Sequence, residues 1–236
     1  MFNFNHNKIF KYSFLGLFLA VETVLFILLQ TVSGRLFSFL SLSSVVLCFV
    51  CSIIFFKRDT FHILSLIALF TTSIADLFLG GLLDFPFIRE LAVCFFLITQ
   101  TCYFLRIYSE QKFTTEKRWH ILLRIIFPII IIIATILVVK ENTNFLALIT
   151  MVYFSYLILN IIFSITQIKS HPLFFIGLIL FMCCDICVGF SVLEEFLTIP
   201  ADSIINQINN SQINFIWLFY LPSQTLIATD IIIKKD

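Results

Sequence analysis

Residues 172–193 read Pro172-Leu-Phe-Phe-Ile-Gly-Leu-Ile-Leu-Phe-Met-Cys-Cys-Asp185-Ile-Cys-Val-Gly-Phe-Ser-Val-Leu193, an apolar run broken by one formally charged side chain, Asp185. At the helical rise of 1.5 Å per residue this run is about 33 Å long, enough to cross the roughly 30 Å hydrocarbon core of a bilayer. Reading outward from it, seven more runs of this kind appear: 12–32, 36–56, 61–83, 87–108, 120–139, 144–166 and 212–233. Polar punctuation separates them, as at Ser33-Gly34-Arg35, Lys57-Arg58-Asp59, Asp84-Phe85-Pro86, Lys140-Glu141-Asn142 and Lys169-Ser170-His171. The first run follows Lys8 and Lys11 but is long, carries Glu22 and has no clear small-residue cleavage site. It is therefore read as a span and not as a signal peptide.

Composition agrees. The chain has 236 residues, 60% hydrophobic and only 12% charged, with a mean hydropathy of +1.06. A soluble domain carries about twice that share of charge, so a water-soluble globule is excluded. A net charge of +1 argues against a nucleic-acid surface, and no nucleic-acid partner is expected. The expected fold is all-α: a polytopic membrane helical bundle of eight transmembrane helices forming one integral membrane domain over residues 1–236. No soluble segment is large enough to hold a separate activity. The seven cysteines, Cys48, Cys51, Cys94, Cys102, Cys183, Cys184 and Cys187, all fall inside apolar runs and make no disulfide framework. The cluster Cys183-Cys184-Asp185-Ile186-Cys187 has no His or further carboxylate nearby. Packing between helices explains it better than a metal site, and neither metal nor cofactor is expected.

Three acids lie well inside spans: Glu22, Asp76 and Asp185. Each costs about 2.5–3.5 kcal/mol at a helix centre on insertion scales. No Lys or Arg lies deep enough to neutralise them, since Arg106 and Arg124 sit near span ends. Burial without a cation favours the neutral form of a carboxyl. Asp76 and Asp185 sit at matching depths of two spans that cross in the same direction. Both open the pattern Asp, three apolar residues, Gly, and the spans that follow each bring a glutamine, Gln100 and Gln224. This suggests a parallel four-plus-four repeat with a site at its interface. Thr72, Ser73, Asp76 and Gly80 share one helical face, as do Gln100 with Tyr103, and Trp217 with Tyr220 and Gln224. His6, His62, His120 and His171 fall at or beyond span ends and are read as interfacial.

Four stretches together resemble the lysoplasmalogenase (YhhN-like) family of eight-span membrane proteins. They are Ser73-Ile-Ala-Asp76-Leu-Phe-Leu79, Phe95-Phe-Leu-Ile-Thr-Gln-Thr-Cys-Tyr103, Gly177-Leu-Ile-Leu-Phe-Met-Cys-Cys-Asp185 and Tyr220-Leu-Pro-Ser-Gln-Thr-Leu-Ile-Ala228. The resemblance implies an ether hydrolase that cleaves the vinyl ether of a lysoplasmalogen to a fatty aldehyde and a glycerophospho-head group. It implies Asp76 and Asp185 as the catalytic pair, with a lysophospholipid-like substrate drawn from the bilayer. Gln100, Tyr103, Tyr220 and Gln224 would position water or polar substrate groups. The chain departs from the family pattern at Gln100, where a histidine usually precedes the tyrosine. Glutamine cannot exchange a proton as imidazole can. Two other readings fit intramembrane acids without cations: a proton- or cation-coupled secondary transporter, and a non-catalytic lipid-binding membrane protein.

Basic residues set the expected orientation. With the N-terminus inside, twelve lie on inner segments: Lys8, Lys11, Lys57, Arg58, Arg106, Lys112, Lys117, Arg118, Arg124, Lys169, Lys234 and Lys235. Only Arg35, Arg89 and Lys140 lie on outer ones. The expectation is a multi-pass protein of the bacterial cell membrane with both termini cytoplasmic. Reporter fusions after Lys235 should give a cytoplasmic signal and fusions within residues 200–210 an external one; the reverse would overturn this orientation.

Overall fold

The structure is a computed structural model that describes residues 3–111, 114–200 and 202–234. Lys112 and Lys235, used above for orientation, lie outside the described residues, as do the side chains of His6 and Glu194. The described residues form α1 (Asn3–Leu29), α2 (Gly34–Ile54), α3 (Thr60–Leu79), α4 (Ile88–Glu110), α5 (Thr114–Val139), α6 (Phe145–Ser164), α7 (Pro172–Val192), a short α8 (Ile204–Asn209) and α9 (Phe215–Ile233). No strand occurs among them, and all but α8 are long and apolar enough to cross a membrane. The protein is thus a multi-pass integral membrane protein.

Helix boundaries follow local chemistry more than hydropathy. α3 stops at Leu79, short of the apolar run, because Gly80 caps it and Gly81 turns the chain at φ 68°. Only glycine adopts that backbone without strain. α1 and α5 start well before their apolar runs, since backbone bonding continues through the polar residues that precede them. Asp59, Asn144 and Asn214 accept from the backbone N–H three residues on and fix the starts of α3, α6 and α9.

Six helices close into a ring in the order α2, α3, α4, α6, α7, α9, with α3 also touching α9. α1 lies outside against α2 and α9, and α5 lies outside against α6. Pairing α1 with α5, α2 with α6, α3 with α7 and α4 with α9 maps most neighbours onto one another: the α3–α4 contact matches α7–α9, and α2–α9 matches α6–α4. The α1–α9 and α3–α9 packings have no comparable α5–α4 or α7–α4 counterpart, so neighbour order follows the four-plus-four pattern only in part. The short sequence match does not follow it: Gly80 ends α3, whereas Gly189 lies inside α7, which runs on to Val192. Gly177 sets the spacing of α7 and α9. A Cβ there would meet the Ile227 side chain at 2.7 Å and the Ser223 carbonyl at 3.2 Å.

At the end of the bundle where the chain terminates, charges are paired inside the protein. Arg106 donates to Asp230 at 2.5 Å, and its guanidinium lies 3.9 Å from the Phe61 ring and 3.6 Å from that of Phe174. His171 reaches Asp230 at 2.9 Å and Glu110 at 3.2 Å, and Lys234 donates to Glu110 at 3.0 Å. This cluster joins α3, α4, α9 and the start of α7. Beside it Arg124 donates to the Tyr156 carbonyl at 3.0 Å and to Asn160 at 2.5 Å, tying α5 to α6.

Two expectations are corrected here. His62, His120 and His171 are 1%, 0% and 6% exposed, so they are buried and not interfacial. Each has found a polar partner at a helix end through Nδ1, although the His62 Nε2 has none among the described residues. Arg106 and Arg124 are likewise buried, each paired with residues of a neighbouring helix. The basic asymmetry survives without them.

His171 titrates above its ordinary value. Burial pushes it down, but the hydrogen bonds to Asp230 and Glu110 and the charge of Asp230 outweigh that and the opposing Arg106. Its folded pKa thus exceeds its unfolded one, near 6.5. The stabilisation is complete below that unfolded value and is lost as pH rises through the folded pKa. The thermal midpoint in detergent should therefore fall as pH is raised from about 6. His171→Gln should flatten that fall; an unchanged slope would assign it to another group.

Candidate active site

Helix α3 carries Asp76 about 24 Å from its start at Thr60, and α7 carries Asp185 about 20 Å from Pro172, by the rise per residue. Each carboxyl has one tyrosine partner from another helix. Tyr220 of α9 donates to Asp76 Oδ2 at 2.6 Å, and Tyr153 of α6 donates to Asp185 Oδ2. The two pairs share one aromatic cluster. The Tyr220 ring lies 5.5 Å from Phe181, Phe181 lies 5.9 Å from Phe96, and Phe96 lies 5.8 Å from Tyr153. Both carboxyls lie within electrostatic range of Cys184, and both also lie within that range of the Tyr153 hydroxyl. The structure thus gathers both Asp–Tyr pairs around one level of the ring.

Toward the chain termini from that level, the interior holds the other residues singled out in the sequence. Gln100 accepts from the Asn160 side chain at 2.8 Å through Oε1, while its Nε2 bonds to no protein group. Gln224 has neither Oε1 nor Nε2 engaged, and the Tyr103 hydroxyl is also without a partner. All three side chains are fully buried. Buried polar groups of this kind can hold water or polar atoms of a bound molecule. Tyr220, by contrast, is committed to Asp76.

The polar stripe on α3 has a different use from that expected. Thr71 and Thr72 bond the Thr99 hydroxyl at 2.8 and 3.1 Å, and Ser73 bonds back to the Leu69 carbonyl. The stripe joins α3 to α4 and leaves Asp76 to Tyr220. Glu22 stands apart from the pair: Ser44 donates to it at 2.6 Å and the Cys48 thiol at 3.6 Å. It fastens α1 to α2.

Sequence reasoning missed Tyr153 and Asn160. The sequence offers only a weak signal: both are hydrogen-bonding residues well inside an apolar span that also carries Thr150, Ser155 and Tyr156. Tyr153 lies about 12 Å from the start of α6 and so at the level of Asp185, about 10 Å from the opposite end of α7.

Fold and site together define a polytopic membrane protein with a tyrosine-bonded pair of aspartates, Asp76 buried and Asp185 half-buried, and an uncommitted polar interior. The YhhN family pattern matches residues 36–231, and the chain belongs to that family, which includes lysoplasmalogenases. The match runs from α2 into α9 and contains both Asp–Tyr pairs. No curated protein and no solved structure matches the chain.

Gln100 holds Asn160, and through it Arg124, by hydrogen bonds that need no proton exchange. If that is its whole role, Gln100→His should change the rate of aldehyde release from a lysoplasmalogen by less than about tenfold, 1.4 kcal/mol in the barrier. A much larger gain would show that the native site lacks a proton-transfer group.

Proposed function

We propose that this protein is an intramembrane lipid hydrolase that cleaves the vinyl ether of a lysoplasmalogen by acid–base catalysis at Asp76 and Asp185. The observation that carries this reading is the pairing of each carboxyl with a phenol and with no cation. A phenol can donate to a carboxylate or accept from a carboxylic acid, so either protonation state has a partner. A guanidinium would fix the carboxyl in its charged form.

The chemistry needs both states. One carboxylic acid gives its proton to the β-carbon of the enol ether, the alkene carbon not bound to oxygen, leaving an oxocarbenium ion at the carbon bound to oxygen. The other carboxylate stabilises that cation and takes a proton from the attacking water. The hemiacetal then collapses to aldehyde and glycerol hydroxyl, so one water is consumed and the protons balance. Pairs of titratable groups in different surroundings perform this division of labour elsewhere. Gln100, Tyr103 and Gln224 supply hydrogen-bonding atoms that the protein does not otherwise use. They suit the water that the reaction consumes, while the apolar spans accommodate the alkenyl chain.

Purified protein should release aldehyde from a lysoplasmalogen. Asp76→Asn and Asp185→Asn should each lower that rate at least about 100-fold, the low end of a general acid–base contribution. The double variant should lose little more than either single one, because members of one catalytic unit are not additive. Asparagine keeps an acceptor for each tyrosine, so thermal stability should hold. Full activity in either single variant would sink the paired-carboxylate mechanism, and absence of turnover with proton- or cation-coupled flux would favour a transporter.

A further inference from the structure

At the end of the bundle away from the chain termini lies a cavity of about 910 Å³. Its wall is built by the α1–α2 turn, the last turns of α7, the region of α8 and the first turn of α9. Among the described residues that line it none is Asp, Glu, Lys, Arg or His, and half carry an amide or hydroxyl side chain. One of these, Gln30, accepts from the Asn214 backbone at 3.2 Å, while its Nε2 is buried without a protein partner.

The wall also contains the N-terminal ends of two full-length helices. Ser33 precedes α2 but makes no side-chain capping bond, and Gly34 enters the helix at φ 66° with open space where a Cβ would project. Asn214 and Phe215 open α9. Helix N-termini carry partial positive charge and unpaired N–H groups. A neutral cavity with that polarity tolerates a phosphate without a cationic side chain.

Depth relates this cavity to the aspartates. Along α7 the wall residues Cys187 and Ser191 lie about 3 and 9 Å beyond Asp185. Along α9, Ile216 and Asn214 lie about 6 and 9 Å before Tyr220. Between cavity and carboxyls stands Trp217, its ring 5.7 Å from the wall residue Phe37 and 5.1 Å from Tyr220. In a glycerophospholipid five bonds separate the sn-1 ether oxygen from phosphorus, roughly 6 Å at the ~1.2 Å advance per bond of an extended chain.

We propose that this cavity receives the phosphate-bearing glycerol head of the lipid, so that its sn-1 ether falls at the level of Asp76 and Asp185. The assignment rests on the reading of those aspartates as the vinyl-ether site. It adds that selection works through neutral donors and helix ends, and that the polar product leaves at the end of the bundle opposite the ion cluster.

Cys187 provides a readout independent of turnover, since it lies in the wall and is 9% exposed. Its alkylation by a maleimide can be followed by mass spectrometry on the full chain in detergent, with Cys94 as internal reference. An acyl lysophospholipid, which has no vinyl ether to cleave, should slow Cys187 alkylation about tenfold at ten times its Kd. The monoacylglycerol of the same chain, lacking phosphate, should not. Ser33→Asp places a carboxylate at the start of α2, where Asp is a favoured helix cap, so folding should be retained. The like charge should weaken protection at least about tenfold.

Equal protection by monoacylglycerol would mean that the chain and not the head occupies the cavity, and would overturn the proposal. Protection by inorganic phosphate alone, matching that of the lipid, would overturn the assignment to a lipid head. No protection by any of them would overturn it outright. Loss of the catalytic reading leaves a separate signature: Asn variants of the aspartates would stay active while Cys187 was still protected.

Discussion

Hydrocarbon offers no hydrogen-bond partner, so the acids and arginines on the spans need partners within the protein, and in this chain they find them on other helices and so help select the neighbours. Glu22 takes Ser44 and Cys48 from α2, Asp76 takes Tyr220 from α9, and Asp185 takes Tyr153 from α6. Arg106 takes Asp230 from α9, and Arg124 takes Asn160 from α6. A single interhelical hydrogen bond in a membrane adds only about 0.6 kcal/mol on average. Leaving an acid unmet costs several times that. The bonds therefore contribute modest stability but strong discrimination among packings, and the apolar surfaces fill in around them.

Partner chemistry then separates structural charge from reactive charge. Asp230 faces a guanidinium held between two aromatic rings, and Glu110 faces Lys234 and His171. These carboxylates are held by cations and suit a permanent clamp among four helices. Asp76 and Asp185 face only phenols, which serve as donor or acceptor as required. Each place has one buried and one half-buried carboxyl, yet only the second arrangement pairs them solely with groups that can either donate or accept.

The sequence made the spans legible because a bilayer fixes their length and composition, and it singled out both aspartates because an acid in an apolar run is costly. It gave less on partners. Tyr153 and Asn160 are ordinary residues in the sequence of α6, and their importance arises only when α6 packs beside α7 and α4. Asp230, Arg106 and His171 each lie near a span end, where charge is inexpensive, and nothing local marks them as one cluster. The helix ends were misjudged for a similar reason: Gly80-Gly81 and Asn214 set boundaries through backbone geometry and capping, which hydropathy does not weigh.

The internal repeat would by itself produce two equivalent carboxyls, which is a poor start for acid–base chemistry. The structure breaks the equivalence in the partners. Gln100 and Gln224 mark corresponding positions of α4 and α9, and four residues before each stand Phe96 and Tyr220. Tyr220 reaches Asp76 across the ring, where α3 touches α9. Phe96, at the corresponding place beside Asp185, has no hydroxyl to offer, and its ring packs instead on Phe181 and on Tyr153. Tyr153, from a helix with no corresponding role in the first half, then supplies the bond to Asp185. One carboxyl is thus held across the two halves and the other within one half. Symmetry places the two acids at one depth, and its local failure gives them different surroundings, which a division into acid and base requires.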